Sequence, residues 1–254
     1  MDIFLESMLI LTFFIGYPIV GWFTYDMVVR HMAEGRKTRV FLYAEVILVE
    51  WAATALLAVL WWHSARPASA LGLGFTPSLG AWVAVAVAAA IVWFLARQTW
   101  GVYRRADLRA QTREQIGPLD TIMPRNRREM GWFVGLSVTA GFCEELLFRG
   151  FLFWWLDARL GLGTLGAAVV STVIFGLMHS YQGWSGMVRT GAVGGVMMGL
   201  YWLAGSIWPV VVLHVLVDVL GGVLGFLAFS DPEAQDPIDP EVDSAGPALP
   251  ARAA

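Results

Sequence analysis

Charge is what this sequence has least of. Ionisable Asp, Glu, Lys and Arg make up 15% of its 254 residues, against 57% hydrophobic. A water-soluble domain carries ~25% charged residues, so the composition excludes one and indicates a polytopic membrane protein. The net charge is −3, which gives no basis for a nucleic-acid partner. Cysteine is confined to Cys143, so no internal disulfide framework can form. Asparagine is confined to Asn126. The first residues lack a basic n-region: Met1-Asp2 is followed by Glu6 and a long apolar run without a small-residue cleavage site. That start reads as a retained anchor, not a signal peptide. The HExxH pattern of zinc proteases is missing as well.

What is present is a succession of apolar runs. The expected fold class is all-α, a polytopic integral membrane protein with about seven transmembrane helices. They run from about Phe4 to Val29, Phe41 to Trp62, Leu79 to Leu95, Met130 to Leu156, Leu162 to His179, Met187 to Ala204 and Trp208 to Phe229. Tyr17-Pro18 predicts a kink in the first. The chain divides into an N-terminal three-helix region (1–129), a core (130–229) and an acidic tail (230–254). The tail holds six acids against Arg252 and reads as solvated and disordered. Two basic segments follow the first and third runs. The larger, residues 97–129, has eight arginines and four acids. Basic loops stay cytoplasmic, so seven spans predict an outside N-terminus and a cytoplasmic C-terminus. The compact, arginine-rich chain points to a bacterial cytoplasmic membrane.

The run from Met130 to Leu156 contains Glu144-Glu145-Leu146-Leu147-Phe148-Arg149. A charge at a bilayer centre costs roughly 2.5–3.5 kcal/mol on insertion scales, so these three indicate a protein interior or a wet cavity. Residues i and i+4 share a helix face. Glu145 and Arg149 can therefore pair, which leaves Glu144 without that partner and available as a general base and acid. A salt bridge locking helices together would explain Glu145 and Arg149 but not Glu144.

Histidine supplies the next candidates. His31 and His63 fall at run ends and read as interfacial. His179 closes the fifth run in Phe175-Gly176-Leu177-Met178-His179. His214 and Asp218 are four apart in the seventh and share a face. Glu, His, His and Asp on three helices suit two chemistries. In one, Glu144 and His179 deprotonate a water and His214 stabilises an oxyanion. In the other, Glu144, His179, His214 and Asp218 hold a divalent metal such as zinc. Spacing does not choose between them.

EExxxR at Glu144–Arg149, FxxxH at Phe175–His179 and HxxxD at His214–Asp218 resemble, in order and placement, three motifs of the CAAX protease and bacteriocin-processing family of intramembrane endopeptidases. Tyr181-Gln182-Gly183 and the stretch from Leu200-Tyr201 to Trp208-Pro209 are similar too. The resemblance covers about Gly135 to Gly222. It implies an all-helical membrane protease that cleaves a membrane-associated peptide or lipidated protein. By the same resemblance Glu144 and His179 activate water, Glu145, Arg149 and Phe175 support the site, and His214 with the residue four later stabilises the oxyanion. CAAX-trimming members have asparagine at that last position. Here it is Asp218, and an ionised aspartate cannot donate a hydrogen bond. Asp218 is then protonated, orients His214, or helps hold a metal. The glutamate mechanism requires no cofactor.

Two other classes fit the composition. A proton-coupled transporter also uses intramembrane Glu and His chains. A non-catalytic membrane adaptor or immunity factor would need only the helical scaffold. Gly183-Trp184-Ser185-Gly186 matches the GxSG of rhomboid proteases but leaves Glu144, Arg149 and His179 unexplained. Gly161–Gly166 matches GxGxxG without the strand context a dinucleotide site requires. Gly191, Gly195 and Gly199 form a small-residue row expected to bring the fifth and seventh helices together. Cys143 reads as a small buried packing group. Glu45 and Glu50 lie five apart and do not share one face; lining a water path and pairing with the arginine of the tail are the two readings open to them.

Overall fold

A computed structural model describes residues 2–230. The tail expected to be disordered lies outside the described residues beyond Ser230. The described residues form eight principal helices and no strand. They are α1 (Ile3–Ala33), α2 (Arg39–His63), α3 (Leu79–Arg104), α4 (Ala106–Ile116), α5 (Arg127–Ala158), α6 (Gly163–Met178), α7 (Gly183–Ala204) and α8 (Trp208–Phe229).

Local chemistry sets the helix starts. Thr38, Ser78 and Asn126 occupy the N-caps of α2, α3 and α5, and each side-chain oxygen accepts from a backbone N–H three residues on. Such a cap satisfies one of the orphan donors of the first turn. The single asparagine therefore starts the helix that carries the acidic motif. In α1 the expected disturbance at Tyr17-Pro18 takes the form of a π-type segment, Ile10–Gly16, just before the proline. A second π-type segment, Leu146–Leu152, follows Glu145 in α5.

Helices α1, α2, α3, α5 and α8 are each long and apolar enough to cross a membrane. Helices α6 and α7 pass that test only as a pair bent by 55°. The count is thus five spans, or six with the bent pair taken as one, rather than seven independent ones. Helix α6 has 16 residues, ~24 Å at 1.5 Å per residue, short of a ~30 Å hydrocarbon core. The arms of the pair also lie side by side. Gly176 packs against Gly191, and Thr172 against Gly195. The glycine row thus joins α6 to α7, not α6 to α8 as expected, and Gly199 faces open space.

The helix ends gather into two groups. At the basic end, Tyr43 donates to the Ile122 carbonyl (2.6 Å) and Arg113 to that of Ala228 (2.6 Å). Tyr25 and Tyr181 lie 6.1 Å apart at the same end. At the other end, Trp208 donates to the Leu73 carbonyl and the Ile207 N–H to that of Gly72. Large apolar side chains such as Phe23, Leu79 and Val169 point outward, as lipid-facing residues do.

Glu6 closes the second group. Its side chain is 2% exposed and is held by Arg66 (2.5 Å) and by two nitrogens of Arg159 (3.1 and 3.2 Å). Both guanidiniums also lie over the Trp154 ring. Removing one partner from a buried ionic cluster leaves uncompensated charge and costs about 3–5 kcal/mol. Glu6→Ala is therefore expected to lower the unfolding temperature in detergent by several degrees; an unchanged melting curve would show that the clip contributes little.

Candidate active site

The site forms where α5, α6, α7 and α8 meet. Glu145 and Arg149 are 0% and 1% exposed. Arg149 Nη1 donates to Glu145 Oε1 at 3.0 Å, and Nη2 donates to the Gly194 carbonyl at 3.0 Å. Its guanidinium lies 4.3 Å from the centre of the Phe175 ring. One cation thereby links α5 to α6 and α7. Glu145 Oε1 also binds His214 Nδ1 at 2.7 Å. The expected Glu145–Arg149 pair is present, and it reaches further than a strut because it fixes the imidazole of α8.

With Nδ1 held, His214 turns Nε2 toward two further acids. Glu144 Oε2 is 3.9 Å away and Asp218 Oδ2 is 3.7 Å away. Glu144 Oε2 is buried and has no hydrogen-bond partner. His179 Nδ1 bonds the Phe175 carbonyl at 2.9 Å, so its other ring nitrogen is the one left free for chemistry. No hydrogen bond or ion pair joins His179 to Glu144. Phe175 lies between the two histidines, 4.9 Å from His179 and 6.3 Å from His214 between ring centres. All the residues that the three motifs single out thus border one region.

Among the described residues, no group of three or more His, Cys, Asp and Glu side chains is arranged to hold a metal ion. One ring nitrogen of each histidine is committed within the protein, to the Phe175 carbonyl in His179 and to Glu145 in His214, an arrangement also found in metal-ligating histidines, and it leaves the other nitrogen free.

Three features of the site escaped the motifs. Gly194 is one step off the expected glycine row, yet it is the close-approach glycine and its carbonyl receives Arg149. The π-type segment lets the chain carry Arg149 toward α7, and Ser171 donates to the Phe148 carbonyl within it (3.0 Å). Glu50 of α2 is 5% exposed, with Oε2 unpartnered; an acid within an apolar run was its only signal. Of the set-aside motifs, Gly161 and Gly163 have positive φ in the turn between α5 and α6, and Ser185 is exposed. Cys143 is buried, as expected for packing.

Residues 126–220 match the model of a protein family described as type II CAAX prenyl endopeptidase Rce1-like. The resemblance to the CAAX protease and bacteriocin-processing family is borne out over that stretch. No curated protein and no solved structure matches the chain.

A Cβ at Gly194 would stand 2.7 Å from the Phe175 ring and 3.3 Å from Arg149 Nη2. Overpacking of this kind costs about 1–3 kcal/mol. Gly194→Ala is expected to lower thermal stability in detergent, whereas Gly199→Ala, in open space, is not. Equal melting temperatures for the two variants would contradict the packing described.

Proposed function

We propose that this protein is an intramembrane endopeptidase. It hydrolyses a peptide bond in a membrane-associated peptide or lipidated protein, using a water activated by Glu144 and His179. The observation that carries the reading is Glu144 itself. A carboxylate buried for structural reasons engages a cation or a donor, as Glu145 does through Oε1 with Arg149 and His214, although its Oε2 has no partner; Glu144 has no such hydrogen bond at all. Glu144 keeps an unpaired oxygen beside an imidazole whose orientation is fixed. The match of residues 126–220 to prenyl endopeptidases supports the reaction class.

In this mechanism Glu144 takes a proton from water as the water oxygen bonds to the scissile carbonyl carbon. The carbonyl electron pair moves onto oxygen. His214, anchored through Nδ1, donates from Nε2 as an imidazolium to that oxyanion, in the manner of a preorganised oxyanion donor. The proton on Glu144 then passes to the leaving nitrogen as the C–N bond breaks, giving a carboxylic acid and an amine. His179, held at Phe175, offers its free nitrogen to the proton that Glu144 has taken from the water, on its way to the leaving nitrogen. Asp218 is a carboxylate that accepts but does not donate when ionised; its part is to orient His214. No resident cofactor is required.

Substrate reaches the site from the basic end. A cavity of about 210 Å³ lined by Gln115, Ile116, Leu119, Gln182, Gly186 and Arg189 lies beside the turn that follows His179. Basic loops face the cytoplasm, so this mouth is cytoplasmic; with α6 and α7 folded side by side, the five remaining spans put the N-terminus outside and the C-terminus inside, in a bacterial cytoplasmic membrane.

Comparison of the membrane proteomes of cells carrying wild type and Glu144→Ala tests the reaction. An uncleaved membrane precursor is expected to accumulate with Glu144→Ala, and equally with His179→Ala and His214→Ala, at unchanged levels of folded enzyme. Normal processing by Glu144→Ala would end this reading. Processing of that precursor by purified wild type is expected to survive chelation, and its loss with recovery on adding zinc would replace the glutamate mechanism by a metal one. For orientation, a cysteine at exposed Ser69 is expected to react with an impermeant thiol reagent from outside the cell; labelling only after lysis would invert the topology.

A further inference from the structure

Glu50 belongs to none of the three motifs and lies outside residues 126–220. Its helix, α2, packs along α5. Trp51 donates from Nε1 to Thr139 Oγ1 at 3.2 Å and stacks on Phe142 at 5.8 Å between ring centres. These contacts bring the Glu50 turn of α2 against the turn of α5 that precedes Glu144. Glu50 is thus a buried acid on the border of the site, supplied by a different helix from Glu144, His179 and His214.

No protein group satisfies Glu50 Oε2 or Glu144 Oε2, nor Glu145 Oε2, whose carboxylate is already held through Oε1 by Arg149 and His214. The Glu50 and Glu144 atoms are carboxylate acceptors, withdrawn from bulk solvent, on helices in contact. Buried acceptors of this kind are satisfied by ordered water, which makes ~3 hydrogen bonds in such positions. A water molecule has two hydrogens to donate, and the two acids offer one acceptor each. With both hydrogens so directed, the oxygen lone pairs point away from the acids, where a carbonyl carbon would lie.

We propose that Glu50 is a water-positioning residue: it and Glu144 hold the reacting water between them, Glu144 taking one hydrogen as a proton while Glu50 retains the hydrogen bond to the other. This rests on the endopeptidase reading. It extends the site to the N-terminal half of the chain and assigns α2 a part in the reaction. The balance of the hydrolysis is unchanged, because the proton released goes to Glu144 and from there to the leaving nitrogen.

The test uses the full-length protein with Glu50→Leu, which removes the acceptor at similar volume, and Glu50→Gln, whose amide oxygen still accepts from water. Misplacing a reacting group by about 1 Å costs about 100-fold in rate. Glu50→Leu is therefore expected to lower the turnover of the precursor found with Glu144→Ala by about 100-fold at unchanged KM, and Glu50→Gln to stay within about tenfold of wild type. Thermal unfolding in detergent supplies a readout free of substrate. An unpartnered buried acid opposes folding, so Glu50→Leu should melt at or above the wild-type temperature. A lower melting temperature for Glu50→Leu would make Glu50 a structural group and overturn the inference. So would wild-type turnover by Glu50→Leu while Glu144→Ala is inactive, or an equal loss in Glu50→Leu and Glu50→Gln. Normal processing in Glu144→Ala cells would instead overturn the endopeptidase reading beneath it.

Discussion

The Arg149 guanidinium is the contact on which the centre of this protein depends. It is 1% exposed and touches a carboxylate of its own helix, a backbone carbonyl of α7 and an aromatic face of α6. Through Glu145 it also bears on His214 in α8. A planar cation with several fixed donors suits this task, whereas a lysine ammonium could not meet three surfaces at once. Burying an ion pair is weak evidence for stability, since desolvation offsets the attraction. What the pair supplies here is orientation. It holds the imidazole by one nitrogen and so determines where the other points.

That constraint propagates outward. For the guanidinium to reach the Gly194 carbonyl, α7 must approach without a side chain, and glycine meets the need. For Arg149 to leave the axis of α5 at the right height, the helix winds wider between Leu146 and Leu152. π-type segments often accompany functional sites because they redirect side chains without ending the helix. Glu144 and Glu145 sit at the border of this segment, one turned to the cation and the other to the unpaired side of the imidazole.

Much of this was legible in the sequence because it follows from local periodicity. The i, i+4 rule pairs Glu145 with Arg149, and it gives His214 and Asp218 one face. Apolar runs locate every membrane helix, and the order of the three motifs agrees with the family match. The contact of His214 with Glu145 was not legible, since it joins residues 69 apart and depends on how α5 and α8 are rotated. Gly194 was overlooked in favour of an evenly spaced row, because spacing reports a face and not the depth of approach. The span count is left between five and six rather than seven at α6, where hydropathy marks an apolar helix but says nothing of its folding back on α7. Glu50 stood out as a charge in an apolar run, yet its neighbours belong to helices about ninety or more residues later in the chain.

The Glu6 clip bears on how the chain assembles. Its anion comes from the first turns of α1, its second guanidinium from residue 159. During synthesis α1 enters the membrane long before Arg159 exists. The first helix must therefore wait in the bilayer with an acid in its first turns, and the clip is complete only after the acid-bearing helix α5 has been made. The clip acts as a closing latch: formation of the core comes first, and the N-terminal helix is fastened to it afterwards.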